Sequence, residues 1–118
     1  MVQYKEMVIR RPQVCRMPSL SLNGKWLEDL QFTVGVTVSV VYRDSCLTIT
    51  TCPNVKNSIA VLVVESKQVR GRSRPQIILN GFILKKYGLN VGDRVGLHLM
   101  PDQIQIVKIN RFTNAEVV

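Results

Sequence analysis

Residues 18–49, PSLSLNGKWLEDLQFTVGVTVSVVYRDSCLTI, align without a gap on residues 75–106, PQIILNGFILKKYGLNVGDRVGLHLMPDQIQI. Nine of the 32 positions are identical: Pro18/Pro75, Leu22/Leu79, Asn23/Asn80, Gly24/Gly81, Leu27/Leu84, Val34/Val91, Gly35/Gly92, Val38/Val95 and Ile49/Ile106. Ordinary composition would give about two by chance. Other pairs keep their apolar character, among them Leu20/Ile77, Phe32/Leu89 and Leu47/Ile104. The chain is an internal duplication with an offset of 57 residues.

The duplication begins upstream of the prolines. MVIRRPQVCRMP (7–18) and LVVESKQVRGRSRP (62–75) share an apolar triplet, Gln-Val, arginines and Pro, with two extra residues in the second copy. Repeat 1 therefore covers approximately 4–53 and repeat 2 approximately 54–110, within one domain of 1–118. Each unit reads as an apolar strand (Met7–Ile9; Ile59–Val64), a basic arm, and a short alternating strand at Leu20/Leu22 or Ile77/Leu79. Asn23 and Asn80 are then expected to cap short helices over about 24–30 and 81–87, since an Asn side chain accepts a free N–H of the first turn. Val36, Val38 and Val40, and Val95, Leu97 and Leu99, continue with the period of a strand, followed by a turn and a last strand. One such unit is too small to bury a core alone. Two units sharing a core give a mainly β fold with two short helices and an internal pseudo-twofold, a homodimer within one chain. Leu22, Leu27, Val38, Leu79, Leu84 and Val95 are the expected common core.

With 118 residues, 46% hydrophobic content and a mean hydropathy of +0.10, the composition is that of a folded protein. The longest apolar run is the six residues IAVLVV (59–64), far short of the roughly 20 that span a bilayer. MVQYKEMVIRR has no signal-peptide core, so a cytoplasmic location is expected, with no membrane partner. Cys15, Cys46 and Cys52 have no Cys-x-x-Cys spacing and no nearby His, and read as free thiols. No metal or cofactor motif follows Asn-Gly or any other glycine. Trp26, at helical spacing with Leu27 and Leu30, reads as core, with base stacking as the alternative.

Sixteen Lys and Arg against eight Asp and Glu give a net charge of +8. Segments 1–17 and 52–74 hold +7 of it, at matching places in the two repeats. Arg10, Arg11 and Arg16 in one arm, and Lys67, Arg70, Arg72 and Arg74 in the other, are the expected nucleic-acid contacts, with Lys85 and Lys86 extending the patch. Gly71 and Ser73 between the arginines suggest a flexible strip that follows a phosphate backbone. Lone His98 alternates away from Val95, Leu97 and Leu99 and so faces outward. It is the one candidate acid–base group, and neither a His pair nor a nucleophile motif accompanies it.

The second unit, RPQIILNGFILKKYGLNVGDRVGLHL, resembles the SpoVT-AbrB motif. The first is similar to the SymE toxin branch, marked here by Leu20, Leu22, Gly24, Trp26, Leu27, Phe32, Gly35, Cys46 and Leu47. The resemblance implies a swapped-hairpin β-barrel formed from two interleaved units, and nucleic-acid binding by arginines before the helix. It further implies a toxin of a toxin–antitoxin module that acts on RNA and translation. Gln31 stands where the family prefers Gly, Val36 where the superfamily has Asp, and Ile83 where the Trp would recur. Three readings follow: a binder of DNA or RNA, an RNA-cleaving toxin, or an AbrB-like regulator or interaction module with a protein partner at its strand edges. Further homodimerisation is compatible with each.

Overall fold

A computed structural model of the chain describes residues 3–10, 18–51 and 58–109. Repeat 1 supplies β1 (Gln3–Val8), β2 (Leu20–Asn23), α1 (Lys25–Asp29), β3 (Thr37–Arg43) and β4 (Cys46–Thr50). Repeat 2 supplies β5 (Ser58–Val63), β6 (Glu65–Val69), β7 (Arg72–Leu79), α2 (Gly81–Lys86), β8 (Arg94–Met100) and β9 (Gln103–Lys108). All described strand pairs are antiparallel. They build a six-stranded sheet in the order β1-β8-β9-β4-β3-β5 and a three-stranded sheet in the order β2-β7-β6.

The opening strand of each repeat leaves its own unit. β1 pairs with β8 of repeat 2, and β5 pairs with β3 of repeat 1. Two further pairings cross between repeats, and their registers obey the duplication. In β4–β9, Leu47↔Ile106 and Ile49↔Ile104 exchange under the 57-residue offset, and Thr48↔Gln105 maps onto itself. In β2–β7, Leu20↔Leu79 and Leu22↔Ile77 exchange, and Ser21↔Ile78 maps onto itself. A local twofold therefore runs through these two rungs. The loop contacts repeat as well: Ile9 bonds to the backbone of Asp93 and Gly92, and Val64 to that of Val36 and Gly35.

Leu22, Leu27, Val38, Leu79, Leu84 and Val95 are all fully buried, in one cluster with Ile9, Phe32, Ile49, Val64 and Ile104. Alternation explains this: Val38, Val40, Leu47 and Ile49, with Val95, Leu97, Ile104 and Ile106, line one side of the six-stranded sheet. Each such side chain contributes roughly 1.5–3 kcal/mol on leaving water.

Two expectations need correction. The strands do not close into a barrel: among the described residues, no pairing joins the edges β1 and β5 to the three-stranded sheet. The physical reason lies in the second arm, where Arg70 and Gly71, both at positive φ (51° and 77°), form a two-residue turn. That turn matches strand twist and commits β6 to β7 rather than to an edge of the larger sheet. Second, Asn23 is no helix cap. It is the last residue of β2, paired with Gln76, and its side chain points to Ser21 (Nδ2 to Oγ, 3.4 Å). Gly24 at φ 131° caps α1 instead, without a side-chain bond, while the Trp26 indole N–H donates to the Asn23 carbonyl at 2.9 Å. Asn80, one residue beyond β7, does cap α2: its Oδ1 accepts the Ile83 N–H at 3.2 Å.

These details generate stability predictions. Asn80→Ala is expected to cost about 0.5–2 kcal/mol in chemical denaturation, and Asn23→Ala less than Asn80→Ala. Leu27→Ala and Leu84→Ala should each cost roughly 2–5 kcal/mol. Gln31 holds a left-handed φ of 76°, as Gly88 does at φ 80° in the second copy. Gln31→Gly should therefore stabilise by about 0.5–1 kcal/mol, the left-handed strain removed exceeding the extra entropy of glycine. Equal or lower stability in that variant would refute strain at this position.

Candidate nucleic-acid interface

The β6–β7 hairpin carries the densest positive charge. Its register sets Lys67 opposite Arg74 and Val69 opposite Arg72, so Lys67, Arg72 and Arg74 share one face, with Arg70 in the turn. The other face carries Ser66, Gln68 and Ser73, and the Ser66 and Ser73 hydroxyls are hydrogen-bonded. Lys67, Arg70 and Arg72 are exposed and Arg74 half-buried. Like charges directly opposite on a ladder repel, at roughly 0.2–1 kcal/mol per pair. None of them is in an ion pair among the described residues, where the pairs are Arg94–Glu6 (3.5 Å) and Lys108–Asp93 (3.3 Å). Glu65, at the base of the hairpin and opposite Gln76, is the one carboxylate on that face among the described residues of the hairpin. The strip expected to be flexible is a paired ribbon, because Arg70-Gly71 is a turn rather than a linker. Such a ribbon holds the backbone positions of its basic residues at fixed spacing.

The first arm begins in the same way. The Arg10↔Ser19 bridge is the counterpart of the Glu65↔Gln76 rung, so Arg10, which is exposed, occupies the place of Glu65. Arg11 and Arg16 lie outside the described residues, as do Cys15 and Cys52. Lys85 and Lys86 are exposed in the last turn of α2, where cations complement the helix dipole, and Lys86 Nζ lies 5.8 Å from the Tyr87 ring centre. Trp26 packs half-buried against the core, with Lys5 Nζ 4.7 Å from its ring centre.

His98 is half-buried on the side of the six-stranded sheet turned away from the core. It lines a depression of about 410 Å³ together with Arg43, Asp44, Cys46, Thr48, Gln105 and Val107. Tyr4, on β1, sits directly opposite it, with ring centres 5.1 Å apart and planes at 57°. The Tyr4 hydroxyl donates to Glu6 at 3.4 Å. Its pKa is raised above the usual phenol value, chiefly by desolvation and then by the neighbouring Glu6 charge. Among the described residues, no three His, Cys, Asp or Glu side chains converge as a metal ion would require. No described helix is long and apolar enough to cross a membrane.

Sequence reasoning did not gather Tyr4, Arg43, Thr48 and Gln105 around His98. Alternation places each on the outer face of its own strand. Their neighbourhood depends on the order β1-β8-β9-β4-β3, which interleaves the two repeats.

Comparison with known proteins agrees with the resemblance of the first unit to the SymE branch. Residues 2–51 match the family model described as toxin SymE of a type I toxin–antitoxin system. Over 41 residues the chain is 42% identical to endoribonuclease SymE of Salmonella paratyphi C (strain RKS4594), covering 35% of this chain and 37% of that protein. It is 28% identical over 74 residues to endoribonuclease SymE of Shigella flexneri serotype 5b (strain 8401), covering 63% and 66%. With the toxic protein SymE of Escherichia coli (strain K12) it shares 36% over 44 residues, covering 37% and 39%. The matches thus span between about one third and two thirds of these relatives. No solved structure matches. The family match over repeat 1 and these relatives together show that the first repeat is similar to SymE toxins.

Proposed function

We propose that the chain is one domain, an intrachain pseudo-dimer of its two repeats, and a SymE-like toxin of the bacterial cytoplasm that binds RNA. The observation that carries this reading is the basic face of the β6–β7 hairpin, where Lys67, Arg72 and Arg74 stand together and none of them is in an ion pair among the described residues. A polyanion relieves that repulsion, and arginine adds bidentate hydrogen bonds to phosphate. Contacts of this kind position a strand without reading its sequence. The choice of RNA follows the names of the Salmonella and Shigella relatives, both called endoribonuclease SymE.

Each phosphate neutralised on a single strand contributes about 0.7 to the log–log salt slope. Replacing Arg70, Arg72 and Arg74 with Ala is therefore expected to make the slope for single-stranded RNA shallower by up to about 2.1, with the fold retained. An unchanged slope and affinity would remove the hairpin from the interface.

Cleavage of the bound RNA is the second reading, supported by the same names and by His98 beside Arg43 in one depression. A neutral imidazole can take a proton from a ribose 2′-hydroxyl, and a guanidinium can stabilise the charge that develops on phosphate. Metal-independent RNA degradation by the purified chain is expected to fall at least tenfold in His98→Ala. Full activity in that variant would exclude His98 as the base.

A further inference from the structure

We infer that the outer face of the six-stranded sheet is a stacking platform for bases of single-stranded RNA, centred on Tyr4 and His98. The inference rests on the proposed RNA binding and adds to it the surface that receives the bases.

Tyr4 is about half exposed (53%), a large aromatic ring left facing solvent on a sheet. It is nevertheless held in place. The ring lies over Gly96, where an added Cβ would come within 2.5 Å of the Tyr4 hydroxyl oxygen and 2.9 Å of Cε1. His98 flanks it on the same sheet face, at 5.1 Å. A ring fixed in this way has given up its rotamer freedom before any ligand arrives, so stacking a base on it costs less entropy. Exposed aromatic rings on antiparallel sheets are a recurrent means of holding unpaired bases.

The rung that carries Tyr4 and His98 continues through Gln105, Thr48 and Val41. An amide and a hydroxyl therefore follow the two rings across the sheet, and these can hydrogen-bond a base edge. The depression alongside, at about 410 Å³, falls within the roughly 300–1,000 Å³ usual for small-ligand sites. Arg43 and Asp44 stand on its rim, so one cation is within the depression's reach of a phosphate. Only one side is equipped. The position equivalent to His98 in repeat 1 is Val41, so the local twofold is broken here by chemistry rather than by backbone. A platform of this sort takes an unpaired strand, because the bases of a duplex are already stacked on each other.

The test compares single-stranded RNA with a duplex RNA of the same length, titrated against the full chain across a salt series. Tyr4→Phe keeps the ring and should bind as wild type. Tyr4→Leu keeps an apolar cover over Gly96 but loses the stacking surface. It should bind the single strand about 5- to 150-fold more weakly, the loss expected from one stacked base. The salt slope should stay unchanged, because no phosphate contact is removed. His98→Ala should weaken single-strand binding in the same direction. Wild-type affinity of Tyr4→Leu for the single strand would overturn the platform, as would an equal loss on single-stranded and duplex RNA. The hairpin is scored separately, by the salt slope of the Arg70/Arg72/Arg74 variant. Either surface can thus fail while the other stands.

Discussion

The structure depends on pairing between repeats. Each unit has strands whose hydrogen-bonding edges and apolar faces are completed by the other. Thr48↔Gln105 and Ser21↔Ile78 are the rungs where the copies meet on their own equivalents, and β1 and β5 then cross to the opposite unit. Without these pairings, Leu22, Leu79, Ile49 and Ile106 would leave their strands facing water. The apolar cluster that holds the fold together is therefore a product of duplication, and neither copy contains it.

A symmetric frame carries asymmetric chemistry. Val41 and His98 occupy equivalent places, as do Glu28-Asp29 and Lys85-Lys86, and Arg10 and Glu65. Substitution on exposed or half-exposed positions leaves the ladders intact, because outward side chains do not enter the core. The same logic lets the two extra residues of the second arm extend a hairpin, β6–β7, beyond the packed layers. Its charge is tolerated there because water screens it, and an anion can approach it from outside.

Electrostatics and stacking would divide the work between two surfaces of different kinds. The hairpin offers like charges at fixed spacing, a geometry suited to a phosphate backbone. The outer sheet face offers pinned rings and neutral hydrogen-bonding groups, with Glu6 and Arg94 paired to each other. Affinity from the first would be strongly salt-dependent and affinity from the second weakly so.

The duplication was legible from its gapless 57-residue offset, and the buried positions and the Asn80 cap because each depends on local spacing. Val38, Leu84 and Val95 go inside whatever the strand order, since alternation and helical spacing are local. Asn23 was misread because its fate is decided by Gln76, a partner far along the chain that keeps it in a strand. The second arm showed its arginines but not its shape, since only the positive φ of both Arg70 and Gly71 turns a basic strip into a ribbon. His98 could be directed outward from alternation alone. That Tyr4, Gln105 and Thr48 lie in the same rung was settled only by tertiary structure, because cross-repeat hydrogen bonding sets which strands are neighbours, and sequence distance carries no record of it.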